Sequence, residues 1–143
     1  MLKKIACLLI LFLLVMGCRR EVQKTVPGSS FTGSYSLIED YQVAEGPHAG
    51  FKGSSSYTIQ VRDINSDRCI YLFENIANAY NITGILNGDS IILNTQKFPF
   101  HNDSVSISGM GKLSGDSLVF ELYSGGPAGQ IRSICRAKKL YLE

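Results

Sequence analysis

The sequence predicts an all-β domain: an antiparallel β-meander of about eight strands, closed as an up-and-down barrel in preference to a two-sheet sandwich. Three observations carry this expectation. From Phe31 onward, apolar and polar residues alternate with the period of two that a half-buried strand requires. Two hairpins of matching pattern follow one another, Gly84-Ile85-Leu86-Asn87-Gly88-Asp89-Ser90-Ile91-Ile92-Leu93 and Gly111-Lys112-Leu113-Ser114-Gly115-Asp116-Ser117-Leu118-Val119-Phe120. No stretch after residue 30 repeats its apolar residues at helical spacing. Consecutive hairpins must pair antiparallel, because so short a turn cannot cross a sheet. Barrel closure then buries the apolar face and removes both edges at once, as in lipocalins and streptavidin, whereas a sandwich leaves edges to protect.

In chain order, Phe31, Gly33, Tyr35 and Leu37 form the apolar face of a first strand, and residues 43–56, rich in Gly, Pro and Ser, read as a loop. Tyr57, Ile59 and Val61 alternate in a second strand; residues 63–67 turn, and residues 69–73 are apolar on both faces. Residues 74–78 read as a helical turn or a loop. Tyr80–Leu86 with Ser90–Gln96, then Ser104–Leu113 with Ser117–Tyr123, are the two hairpins, where glycine supplies the positive φ of a tight turn. Gly125-Gly126-Pro127-Ala128-Gly129 breaks the run before a last strand over residues 130–140.

The amino terminus reads differently. Lys3 and Lys4 precede an uncharged apolar run from Ile5 to Val15, too short for the ~20 residues of a membrane-crossing helix, as in a secretory signal peptide. Val15-Met16-Gly17-Cys18 resembles the lipobox of bacterial lipoproteins. The resemblance implies cleavage before Cys18 and a palmitate-type acyl anchor on its sulfur, making this a lipoprotein of the cell envelope. Arg19 after that cysteine, in place of aspartate, implies the outer membrane. The expected organisation is a signal peptide over residues 1–17, a lipidated tether over 18–30 and one β domain over 31–143. The strand-and-turn pattern from Phe31 to Cys135 is also similar to small β-rich lipoproteins common among Bacteroidetes. Where such chains place a second cysteine in the first strand, this one has Glu39-Asp40.

The formal net charge of +2 belongs to Lys3 and Lys4 of the signal, so the domain is neutral and has no basic face for nucleic acid. Arg19, Arg20 and Lys24 read as part of a solvated tether. Of four cysteines, Cys7 leaves with the signal and Cys18 carries lipid. Cys69 and Cys135 remain, either disulfide-bonded, as an oxidising compartment permits, or two free thiols. Neither has a histidine or second cysteine at metal-ligand spacing, and no metal or cofactor is implied. Asp63 and Asp67 lack the glycine and final glutamate of a calcium loop, and read as an Asx turn.

His48 and His101 fall in loops, and no serine sits in a nucleophile elbow. An enzyme would need a cleft joining one of them to Glu39 or Asp40, so the expected function is non-enzymatic, a ligand- or partner-binding β domain. Tyr35, Tyr57, Phe73, Tyr80 and Phe120 would line a ligand cavity if the barrel is hollow, or fill its core if it is not. Lys97-Phe98-Pro99-Phe100-His101 reads as an aromatic loop, exposed for a partner or folded over the barrel end as a plug. The expected partners are the membrane through Cys18, and a small apolar ligand or an envelope protein.

Overall fold

A computed structural model describes residues 31–141. The expected signal, acylation site and tether lie outside the described residues. Eight antiparallel strands in sequence order close a barrel: β1 (Gly33–Glu45), β2 (Lys52–Asn65), β3 (Ile70–Ile76), β4 (Tyr80–Asn87), β5 (Ser90–Phe100), β6 (Asp103–Ser114), β7 (Ser117–Gly126) and β8 (Gly129–Lys139). Closure comes from β1 pairing with β8 from Tyr35↔Lys139 to Glu45↔Gln130. Among the described residues, every strand and the closing seam lie within residues 33–139, and the core within residues 31–137, so a segment from Gly28 onward contains them all.

The two matched hairpins are equivalent in space as well as in sequence. Gly88 and Gly115 adopt positive φ (67° and 60°) at the first central position of two-residue turns, as a type II′ hairpin requires. The Asp89 carbonyl accepts from Leu113 N–H at 2.7 Å, and the Asp116 carbonyl from Lys139 N–H at 2.8 Å. Each aspartate also meets a lysine of the strand beyond, Asp89 with Lys112 and Asp116 with Lys138. The leading glycines of the repeat, Gly84 and Gly111, stand on the inner wall. A Cβ on Gly84 would lie 2.8 Å from the Phe73 ring, and one on Gly111 would lie 2.7 Å from the Phe120 ring. Two absent side chains thus admit two large rings to the barrel centre, where Phe73 and Phe120 meet edge to face at 5.5 Å.

Three segments differ from expectation. β1 runs on to Glu45 and β2 starts at Lys52, so the expected loop of residues 43–56 shrinks to 46–51. Residues 74–78 form neither helical turn nor loop alone. β3 continues to Ile76 across a bulge, with Asn75 at φ 67°, and turns at Ala77 and Asn78, both at positive φ. Ala-Asn is a weak turn signal beside Asn-Gly, which hid this hairpin. Residues 97–100 are strand, paired with Ser106–Asp103 of β6, and the connection is only His101-Asn102.

Pro99 is tolerated in that strand because β5 is an edge at this height. The β4–β5 ladder has three pairs, Ile85↔Ile92, Leu86↔Ile91 and Asn87↔Ser90, and stops there. Beyond it the Gln96 side chain stands in for the missing strand. Its Oε1 accepts from Thr83 N–H at 3.0 Å, and its Nε2 donates to the Thr83 carbonyl at 2.8 Å. The Tyr80 and Phe98 rings close the gap at 5.0 Å. Gln96→Ala is expected to cost about 1–2 kcal/mol in denaturant unfolding and to speed exchange of the Thr83 amide selectively. Unchanged exchange at Thr83 would count against this seal.

Candidate functional site

The two ends of the barrel are built differently. At the end where β1 starts and β8 finishes, Phe31 lies across the opening, 4.6 Å from the Tyr71 ring and 5.9 Å from Phe73. The Tyr35 hydroxyl donates to the Phe31 carbonyl at 2.7 Å, tying this first residue down. Below it Leu37, Ile59, Val61, Leu93, Leu118 and Phe120 fill the interior with almost no exposure. At the opposite end the inward positions become small: Ser55, Ser124, Gly126 and Ser133. Space is left there, a cavity of about 400 Å³ open at the barrel mouth. A volume in the range of ordinary ligand sites results from one chain filling half its lumen.

The large side chains of the wall are apolar or aromatic: Tyr41, Tyr80, Phe100, Val105, Ile107 and Ile131. Glu39 is the charged residue among them, with 7% of its surface exposed. It arrives there because the alternation Tyr35, Leu37, Glu39, Tyr41 holds one face of β1 toward the lumen. The Tyr57 hydroxyl donates to Glu39 Oε2 at 2.7 Å and itself accepts from Ala77 N–H at 3.0 Å. Burial, and then the Glu39 hydrogen bond and charge, push the Tyr57 phenol well above its usual range. Tyr57 is thereby kept as a donor to the carboxylate.

Of the five residues expected to line a cavity, Tyr80 alone does so. Tyr35, Phe73 and Phe120 belong to the filled half, and Tyr57 stands behind Glu39 as its hydrogen-bond donor. The alternatives of a filled core and a hollow barrel are each realised, in opposite halves. The aromatic segment of residues 97–101 is neither loop nor plug: Phe98 packs against the core while Phe100 reaches the cavity rim. His48 and His101 are exposed on turns, and neither lines the cavity with Glu39. Asn65 caps a short 3₁₀ turn over Ser66–Arg68, accepting from Arg68 N–H at 3.2 Å.

Cys69 and Cys135 are both free thiols; the disulfide weighed from the sequence is not formed. Cys69 is exposed on the connection to β3, at the filled end, whereas Cys135 faces the interior of β8 between Glu39 and Phe120. Burial, and then the Glu39 charge, push the Cys135 thiol up to about 12. Burial likewise raises the Tyr35 phenol to about 12. Two consequences are measurable on the segment from Gly28 onward. Native protein should yield one thiol to an aromatic disulfide reagent and a second on unfolding. In the unfolded chain, Cys135 and Tyr35 release protons near 9.0 and 10.0, well before the folded barrel does. The folded state then binds more protons, so stability present below about pH 9 falls as pH rises toward about 12. A melting temperature unchanged through that window would contradict the burial of both groups.

No family model, curated protein or solved structure matches the chain.

Proposed function

We propose that this protein is a lipid-anchored envelope lipoprotein whose barrel binds a small, largely apolar ligand in its open half, without catalysis. The cavity carries this reading: about 400 Å³, walled by aromatic and aliphatic side chains and a few serines, with Glu39 as its one charged residue. The lipobox Val15-Met16-Gly17-Cys18 supports the anchor, and two or more acyl chains would make attachment stable. Phe31, where the described chain begins, lies at the filled end, so the expected anchor is joined to the barrel at the end opposite the mouth.

Two experiments test it. Native mass spectrometry of the segment from Gly28 to Glu143, secreted and purified gently, should find an added mass that denaturation removes. Ser124→Phe, which fills the cavity from β7, should abolish that mass with little change in stability. A bare mass in the unsubstituted protein, together with failure to bind any apolar probe, would sink the carrier reading. Separately, Cys18→Ala in the full chain should release the protein from membranes; fractionation identical to wild type would remove the anchor.

A second reading, a docking platform for another envelope protein, has one specific support. Ile85, Ile92 and Met110 stand directly opposite one another on the outer wall of β4–β6 and are exposed, Met110 to 63%. Met110→Lys should then abolish crosslinks to a partner while leaving any bound mass in place.

A further inference from the structure

We infer that the ligand of this cavity is an amphiphilic amine: an apolar body fills the mouth, and its ammonium group pairs with the Glu39 carboxylate. This rests on the carrier reading above and adds the chemistry of the head group.

Charge is paired unevenly between the outer wall and the lumen of the barrel. Arg62–Glu74, Lys112–Asp89, Arg132–Glu121, Arg136–Asp40 and Lys138–Asp116 are ion pairs of the outer wall, where charge is cheap to keep. Glu39 has no such pair among the described residues. It is more than nine-tenths buried, and no Lys, Arg or His lines the cavity beside it. A buried carboxylate without a cation is costly, and one hydrogen bond offsets only part of that cost. Tyr57 occupies Oε2, and no described group bonds Oε1.

The neighbouring atoms show which head group fits. Oε1 accepts hydrogen bonds; the Tyr57 hydroxyl is committed to Glu39 and Ala77 N–H to Tyr57, and the other donors of the wall, the Ser55, Ser124 and Ser133 hydroxyls, carry no charge to balance a carboxylate. A second carboxylate brought against Glu39 would meet like charge without a compensating base. A neutral hydroxyl would satisfy Oε1 and leave the charge unpaired. An ammonium group supplies both a donor and the missing positive charge, and a charged hydrogen bond is the stronger kind. The hydrophobic wall from Tyr41 and Tyr80 to Val105 and Ile131 then takes the hydrocarbon.

The test uses three chain-matched probes, n-octylamine, n-octanol and n-octanoate, titrated calorimetrically at neutral pH into the segment from Gly28 to Glu143. Octylamine should bind about 10–100-fold more tightly than octanol, and octanoate should be the weakest. Glu39→Gln keeps the shape and can still accept from Tyr57. It should bring the amine down to the level of the alcohol and improve octanoate. Equal affinities for amine and alcohol in the unsubstituted protein would overturn the inference while leaving the carrier reading intact, provided Ser124→Phe abolishes both. Failure of all three probes would overturn the two together. Because the wild-type ranking decides by itself, the result does not depend on how well the Glu39→Gln variant folds.

Discussion

Phe73→Ala is expected to cost about 3–5 kcal/mol in denaturant unfolding, the range for deleting a buried phenyl ring from a filled core. Phe73 has no exposed surface and touches both Phe31 and Phe120 edge to face. Its ring also rests in the space left by Gly84, where any Cβ would collide with it. Removing the ring opens a void at the barrel centre that backbone cannot collapse into, because β3 is tied to both neighbours by its ladders. The loss should therefore lie at the upper end of that range, and the slope against denaturant should stay unchanged. A cost below about 1 kcal/mol would mean that the filled half is loosely organised, and the contrast between the two halves would fall with it.

Gly129→Ala should be almost as damaging, for a different reason. Gly129 begins β8 at φ 103°, and a Cβ there would lie 1.8 Å from the Glu45 carbonyl oxygen. That carbonyl belongs to the closing seam, so the side chain cannot be accommodated without parting β1 from β8 beside the cavity mouth. Gly50 is the natural control: it holds φ at 89° with nothing near its missing Cβ, so Gly50→Ala carries the backbone strain alone. Strain of this kind costs about 1–3 kcal/mol, and overpacking against backbone adds about 1–3 kcal/mol. Gly129→Ala should thus be more destabilised than Gly50→Ala by about 2 kcal/mol, and should lose octylamine binding as well. Equal losses in the two variants would show that the seam yields easily.

Much of this architecture is readable in the residues, and the parts that are not share a cause. The Gly-Asp hairpins are legible because their turns are closed by neighbours in sequence: Gly88 and Gly115 supply the φ, and the flanking strands follow. The hairpin at Ala77-Asn78 is not, since its geometry is imposed by Asn75 reaching across to the Thr58 carbonyl at 2.8 Å and by the bulge that precedes it. Glu39 lies between. The alternation through Tyr35 and Leu37 already pointed it inward, yet a carboxylate on an apolar face contradicts the hydrophobic pattern and reads as the strand's end. Its partner Tyr57 sits on β2, and the register Leu37↔Tyr57 that brings the hydroxyl within reach exists only once the strands pair.

What the sequence by itself determined is the all-β class and the antiparallel order of the strands, because alternation and turn chemistry are local properties of the chain. What tertiary structure alone decided is how the lumen is divided. Five aromatic residues look alike on alternating strands, but shear and stagger carry Tyr35, Phe73 and Phe120 into one half and leave Ser124, Gly126 and Ser133 facing one another in the other. Filling and emptiness are sums over eight strands at one height of the barrel, and no single segment contains that sum.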